Sequence, residues 1–330
     1  MTVQPDRRSF LQLSLAAPLL YFGRVDALAA PAARSTMRDL VRDPLLRGLF
    51  GRPLGEFGPN GAAGLNRESF RFIEYQRQGA EWITRGVVRS KRDWIRNGWL
   101  IIDYGLAQQQ PDGGFPGDDV QHSASLFLEA AARACLIDPG GATPARRATL
   151  LKAGRWMTAP AMEADAASHS APFTHRRYVM ASMLGQIGAV TGDAALIRRA
   201  AQWAREGIAL QRPDGVNPER GGFDASYQAA GALFAERYLA SCVDPTMRAA
   251  VSGMIRRAVP PVLAKQRPDG SIDPTGSTRI GVETYRGGKV KEFNYEEGVQ
   301  ALVYGSRLIN EPRWRGAAAK MVELKGWSRA

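Results

Sequence analysis

The chain has 330 residues, 45% of them apolar, enough to bury one large core and to exclude bulk disorder. Forty-four Lys and Arg against 32 Asp and Glu give a net charge of +12, an excess that suits polyanionic partners. Such partners include nucleic acid, anionic lipid and an anionic polysaccharide or oligosaccharide; no basic run interleaved with stacking aromatics occurs, so no nucleic acid is expected.

At the N-terminus, Arg7 and Arg8 precede an apolar stretch, Leu13 to Phe22, and Ala27-Leu28-Ala29 offers a small-residue cleavage site. This pattern predicts a twin-arginine (Tat) signal peptide over 1–29 and a periplasmic or secreted protein. The apolar stretch is too short for a permanent span, so no stable membrane segment is expected after cleavage. Residues 30–66, rich in Gly, Pro and Arg, read as a wrapping arm with short helical turns. Residues 67–330 read as the catalytic domain.

Within that domain a punctuation mark recurs: Gln109-Gln110-Pro111-Asp112-Gly113, Gln211-Arg212-Pro213-Asp214-Gly215 and Gln266-Arg267-Pro268-Asp269-Gly270. Pro sets φ and Gly tolerates φ > 0, so each mark ends a helix in a turn. The marks lie 102 and 55 residues apart, about two repeats and one. A missing mark is expected near Ala159-Pro160. Helices that follow the loops, over 118–136, 173–190, 223–242 and 294–309, are rich in Ala, Gly, Ser and Leu and should be packed on several sides. Helices that precede them, over 81–108, 145–158, 194–210 and 246–265, carry Arg/Lys stripes and a single apolar face. The prediction is an all-α chain whose inner and outer helices alternate in an (α/α) toroid, an incomplete barrel of helical hairpins; an open solenoid is the rival.

In such a ring the loops entering the inner helices share one end, and polar residues gather there. They are His122; His175, Arg177 and Tyr178; Asn217, Arg220, Asp224, Tyr227 and Gln228; and Glu283, Tyr285, Arg286, Asn294 and Tyr295. Aligned helix N-termini add positive dipole ends that favour an anionic ligand. Plainer roles exist for each: Asp118, Asp119, Thr174 and Asp224 as helix caps, the tyrosines as core aromatics, and Glu296 and Glu297 as partners of Lys289 or Lys291. Cys135 and Cys242 read as two buried thiols rather than a disulfide. No zinc spacing, calcium loop, phosphate loop or nucleophile elbow appears, so no cofactor and no metal are expected.

The repeat, the leader and the spacing of His175, Arg220 and Tyr227 resemble the α/α-toroid polysaccharide lyases of the alginate and glucuronan lyase group. There, a His opens one inner helix, and an Arg precedes a Tyr by seven positions at the next. Gly221 to Gln228 is similar to that group's Tyr-bearing helix. Where the group usually has Asn beside the His, this chain has Thr174, leaving Asn217 or Gln228 as substitutes. The resemblance implies β-elimination on a uronic-acid polysaccharide, with Tyr227, His175 and Arg220 catalytic. The remaining entrance residues would bind substrate.

The chemistry makes demands that such a set can meet. A carboxylate acidifies its α-proton poorly, so the site must neutralise it and stabilise an enolate-like dianion. Arg220 with Gln228 or Asn217 would do so. A free Tyr has a pKa of about 10, and a neighbouring guanidinium favours its phenolate, which suits Tyr227 as base and returning acid. His175 would be a second proton carrier or a carboxylate binder. Two other classes compete. An inverting glycoside hydrolase would need two flanking carboxylates, from Asp118 or Asp119 with Asp224, Glu283 or Glu297. A non-catalytic periplasmic binder of anionic glycan would need neither.

Overall fold

The computed structural model describes residues 36–51, 54–117, 119–285 and 288–329. The leader over 1–29 lies outside them. Twelve α-helices run through the described residues: α1 (Met37–Val41), α2 (Gln78–Arg89), α3 (Arg92–Leu106), α4 (Val120–Ile137), α5 (Pro144–Met157), α6 (Pro160–Ser170), α7 (Thr174–Thr191), α8 (Ala194–Leu210), α9 (Ala225–Ser241), α10 (Pro245–Leu263), α11 (Tyr295–Leu308) and α12 (Trp314–Leu324). No strand forms among them, only isolated bridges.

Composition decides which helix faces inward. In α9, 14 of 17 residues are buried, among them five alanines, so the helix can be surrounded closely. In α8, of equal length, only Leu196, Ala200, Trp203, Ala204 and Gly207 are buried, a single stripe at helical spacing. The inner helices α2, α4, α7, α9 and α11 pack side by side in that order, with α3, α5, α8, α10 and α12 outside them. The first and last inner helices approach through Arg85 and Glu296 at 3.8 Å. This is an (α/α) toroid of helical hairpins, with solenoid-like repeats curled into a ring.

The Pro-Asp-Gly turns link one hairpin to the next. Gly113, Gly215 and Gly270 have φ of 104°, 85° and 89°, and a Cβ there would stand 2.9, 2.1 and 2.5 Å from carbonyl oxygens of Lys152, Arg257 and Lys320. Only glycine meets both conditions. The glutamine opening each mark reaches the same neighbour: Gln109, Gln211 and Gln266 donate to the carbonyls of Thr149, Met254 and Ala317 at 3.0, 3.0 and 2.9 Å. Each turn thereby fastens an outer helix to the following one.

Three elements differ from the sequence expectation. The single outer helix over 81–108 is two helices, because Ser90 takes a left-handed φ of 57° and its N–H bonds Gly86. The first half, α2, is an inner helix. The break near Pro160 opens into a further helix, α6, with the proline at its first position, where no N–H is needed. After α11 the chain adds α12, which closes the last hairpin on α11.

Residues 36–51 seal the far end of the ring. Met37, Leu40 and Val41 of α1 are buried against α4, α9 and α11. Arg307, in the last turn of α11, donates to the Asp39 carbonyl at 2.7 Å, and Arg89, ending α2, donates to the Arg47 carbonyl at 3.0 Å. Both are C-terminal ends of inner helices, so the entrance loops lie at the opposite end. Cys135 and Cys242 are both free and buried, and burial pushes the Cys135 thiol up to about 11. Among the described residues no helix is long and apolar enough to cross a membrane.

Candidate functional site

The entrance is built by the segment 217–224 lying across the start of α7. Glu219 bridges both Phe173 and Gly222, and Arg220 and Gly221 follow with left-handed φ of 51° and 81°. A non-glycine residue in that region carries backbone strain, held here by the Arg220 N–H bond to the Pro172 carbonyl at 2.6 Å. The turn drives the Glu219 side chain inward, fully buried, where its Oε1 accepts from the backbone N of His175 at 2.9 Å. The same oxygen lies 2.8 Å from Nδ1 of His175. A buried carboxylate on Nδ1 makes that nitrogen the donor and leaves Nε2 for other work.

Across from His175 stands Tyr227, in the first turn of α9, with ring centroids 4.8 Å apart. Two cations attend this phenol. Lys291 places Nζ 3.2 Å from the phenol oxygen, and the Arg279 guanidinium lies 3.6 Å from the ring centroid. Both come from the loop between α10 and α11, and Glu283 ties them together. Its Oε2 accepts from Arg279 Nε at 3.0 Å and from Lys291 Nζ at 2.7 Å. Burial pushes the Glu283 carboxyl upward, but those bonds and the two charges outweigh it and hold the group below the usual carboxylate range.

His122, His175, Tyr227, Tyr285, Lys291 and Asn294 line one cleft of about 170 Å³ at this end of the ring. Glu297 also lines it, and burial pushes its carboxyl up despite nearby Arg77 and Arg237. Of the catalytic set read from sequence, His175 and Tyr227 meet. Arg220 does not join them: its side chain is 57% exposed and its Nε pairs with Glu283 at 2.9 Å. The cations on the phenol are Lys291 and Arg279 instead, so that expectation is corrected.

Several expected substrate contacts prove structural. Asp224 caps α9 through Oδ1, bonding Ser226 N and Tyr227 N, while Oδ2 accepts from Arg279 N and Ile280 N at 2.8 and 2.9 Å. Fully buried and bonded to four backbone donors, it has nothing left for a ligand. Gln228 is equally buried, accepting from Asn217 N and donating to the Gly215 and Ala258 carbonyls. Asn217 is buried with its amide against the Met254 sulfur. Neither can neutralise a uronate. Tyr178 is sealed in the core, where burial pushes its phenol upward. Tyr295 turns its hydroxyl to Ile272 N at 3.1 Å, and Arg177 donates to the Ser170 and Phe173 carbonyls. Glu283 is occupied as described. Arg286, like Asp118, lies outside the described residues. Asp119 precedes α4 with φ 48° and makes no side-chain cap.

Glu219, Arg279 and Lys291 are the residues that sequence reading passes over. Glu219 adjoins Arg220, but nothing in a sequence says which of two neighbours turns inward. Lys291 reads as a surface partner of Glu296 or Glu297, and only the loop's path brings it to Tyr227. Among the described residues no group of His, Cys, Asp and Glu could hold a metal ion.

No family model matches the chain, and no curated protein matches it in sequence. Among solved structures it is similar to a polysaccharide lyase, with a TM-score of 0.51 and 12% identity over 90% of this chain and 92% of that one. It also aligns with a D-mannose isomerase at a TM-score of 0.47 and 11% identity, over 77% and 74% of the two chains. At such identity the first likeness is one of fold: the α/α toroid.

Proposed function

We propose that this protein is a polysaccharide lyase that cleaves a uronic-acid-containing polysaccharide by β-elimination. The observation that carries the reading is the facing pair in the cleft, His175 with a carboxylate behind it and Tyr227 with cations around it. Tyr227 removes the C5 proton, with Lys291 at its oxygen and Arg279 over its ring. The electron pair left at C5 forms the C4–C5 double bond as the C4–O bond breaks. His175 gives a proton to the departing oxygen, and Glu219 on Nδ1 holds the ring in place. Lys291, with the N-termini of the inner helices, offsets the substrate carboxylate and the charge that builds on it. General acid–base help of this kind is worth about 10²–10⁴ in rate.

The fold shared with a polysaccharide lyase agrees with this reading, as does the leader pattern, from which we infer a periplasmic or secreted protein. Of the carboxylates the hydrolase alternative would use, Asp224 is bonded to four backbone donors and Glu283 to three cations, which leaves Glu297 in the cleft. The test is direct. Purified protein incubated with polyglucuronate, alginate and mixed uronate glycans should generate ultraviolet absorbance from the new double bond. Reducing ends without that absorbance would point to hydrolysis, and no product from any uronate would end the lyase reading.

A further inference from the structure

Below the cleft the lumen continues into a second chamber of about 170 Å³. The two spaces share Arg77, Leu126, Phe234, Asn294 and Glu297 in their walls, so they adjoin. Their chemistry differs. The upper cleft is bounded by the first turns of α4, α7 and α9, through His122, His175 and Tyr227, and by the Asn294 cap of α11. Helix dipole ends favour negative charge there, and the effect fades within one turn. The lower chamber is lined from deeper turns by Glu129 and Arg133 of α4 and Arg237 of α9, and from first turns by Glu81 of α2 and Glu296 of α11.

Its wall is charged but balanced. Arg133 Nε lies 3.2 Å from Glu129 and its Nη2 3.3 Å from Glu81, while Arg237 reaches Glu129 at 3.5 Å and Gln300 at 3.3 Å. Carboxylates and guanidinium groups alternate around the space, presenting acceptors and donors together. Arg237 is buried, and its Nε has no hydrogen-bond partner. A buried donor without a protein partner calls for an acceptor, a water molecule or a sugar hydroxyl alike. A second carboxylate would meet Glu81, Glu129 and Glu296, none of which lines the upper cleft, a like-charge cost. Hydroxyl groups, donor and acceptor at once, match both halves of the wall.

Resting on the lyase reading, we propose that the lower chamber is a second saccharide subsite for an uncharged sugar unit adjoining the uronate. The substrate class is then a heteropolysaccharide in which uronic acid alternates with neutral sugar, rather than a homopolyuronate.

The experiment compares defined oligosaccharides by the rate of double-bond formation. For the wild-type protein, kcat/KM on a uronate–neutral oligomer should exceed that on a uronate–uronate oligomer of equal length by about tenfold or more. In Glu81→Gln, which removes one wall carboxylate, that ratio should fall toward unity. Equal or faster wild-type turnover of the homopolyuronate overturns the subsite while leaving the lyase reading standing. So does a ratio unmoved in a folded Glu81→Gln protein. Absence of elimination on both oligomers, and on every other uronate, would instead sink the lyase reading itself.

Discussion

At the far end of the ring, Asp43 receives both terminal nitrogens of Arg315 at 2.7 and 2.9 Å, and Arg307 and Arg89 bond backbone carbonyls of the segment that seals it. At the entrance, residues of the same kinds are arranged differently. His175 and Tyr227 face an open cleft, each bonded to one charged neighbour, Glu219 on the imidazole and Lys291 on the phenol. One end uses its polar groups to satisfy one another; the other orients a few so that part of each stays available. The entrance itself repeats the contrast within a few residues, since Asp224 and Gln228 are consumed by backbone bonds while Tyr227 between them reaches the cleft.

Substitutions can break or sharpen that contrast. The largest effect is expected from Tyr227→Phe, which should lower elimination by about 10³-fold, within the range for general acid–base groups. Its thermal unfolding should match the parent protein. Retained turnover would mean that the open end holds its chemistry elsewhere. Asp224→Ala should do the opposite, destabilising the fold by roughly 2–4 kcal/mol through the lost cap and the stranded buried donors. Denaturant unfolding measures this; a change in KM with stability intact would return Asp224 to the substrate contacts.

A smaller effect is expected at Glu236, deep on α9, which is fully buried with no partner for either carboxylate oxygen. Burial raises its carboxyl well above the ordinary range, only partly countered by Arg237. The folded chain therefore keeps this proton where the unfolded chain releases it. Stability should fall as pH rises above the unfolded value of about 4.3 and stop falling once the folded group ionises. In Glu236→Gln that decline should be shallower. Melting temperatures across pH 5 to 8, taken as differences between the two proteins, provide the check, and identical slopes would show that Glu236 ionises as easily folded as unfolded.

Much of the fold was legible in the residues. The Pro-Asp-Gly marks announce the hairpins because a glycine at positive φ is a local requirement, and the Ala-rich helices announce the inner ring because close packing selects small side chains. The split at Ser90 was not legible, since a serine in a left-handed conformation leaves no sign in an otherwise helical pattern. The site was half legible. His175 and Tyr227 follow from positions at equivalent helix starts, a consequence of the repeat.

What the sequence by itself determined is the alternation of inner and outer helices and the end at which polar residues collect, because period, turn chemistry and side-chain size act over a few residues. Only the tertiary structure decided which polar groups are available. That Glu219 turns inward while Arg220 turns out, and that Lys291 reaches Tyr227 from 64 residues away, depends on loop paths fixed by contacts distant in the chain. Availability is what remains after every buried donor and acceptor has found its partner, and that accounting closes only in three dimensions.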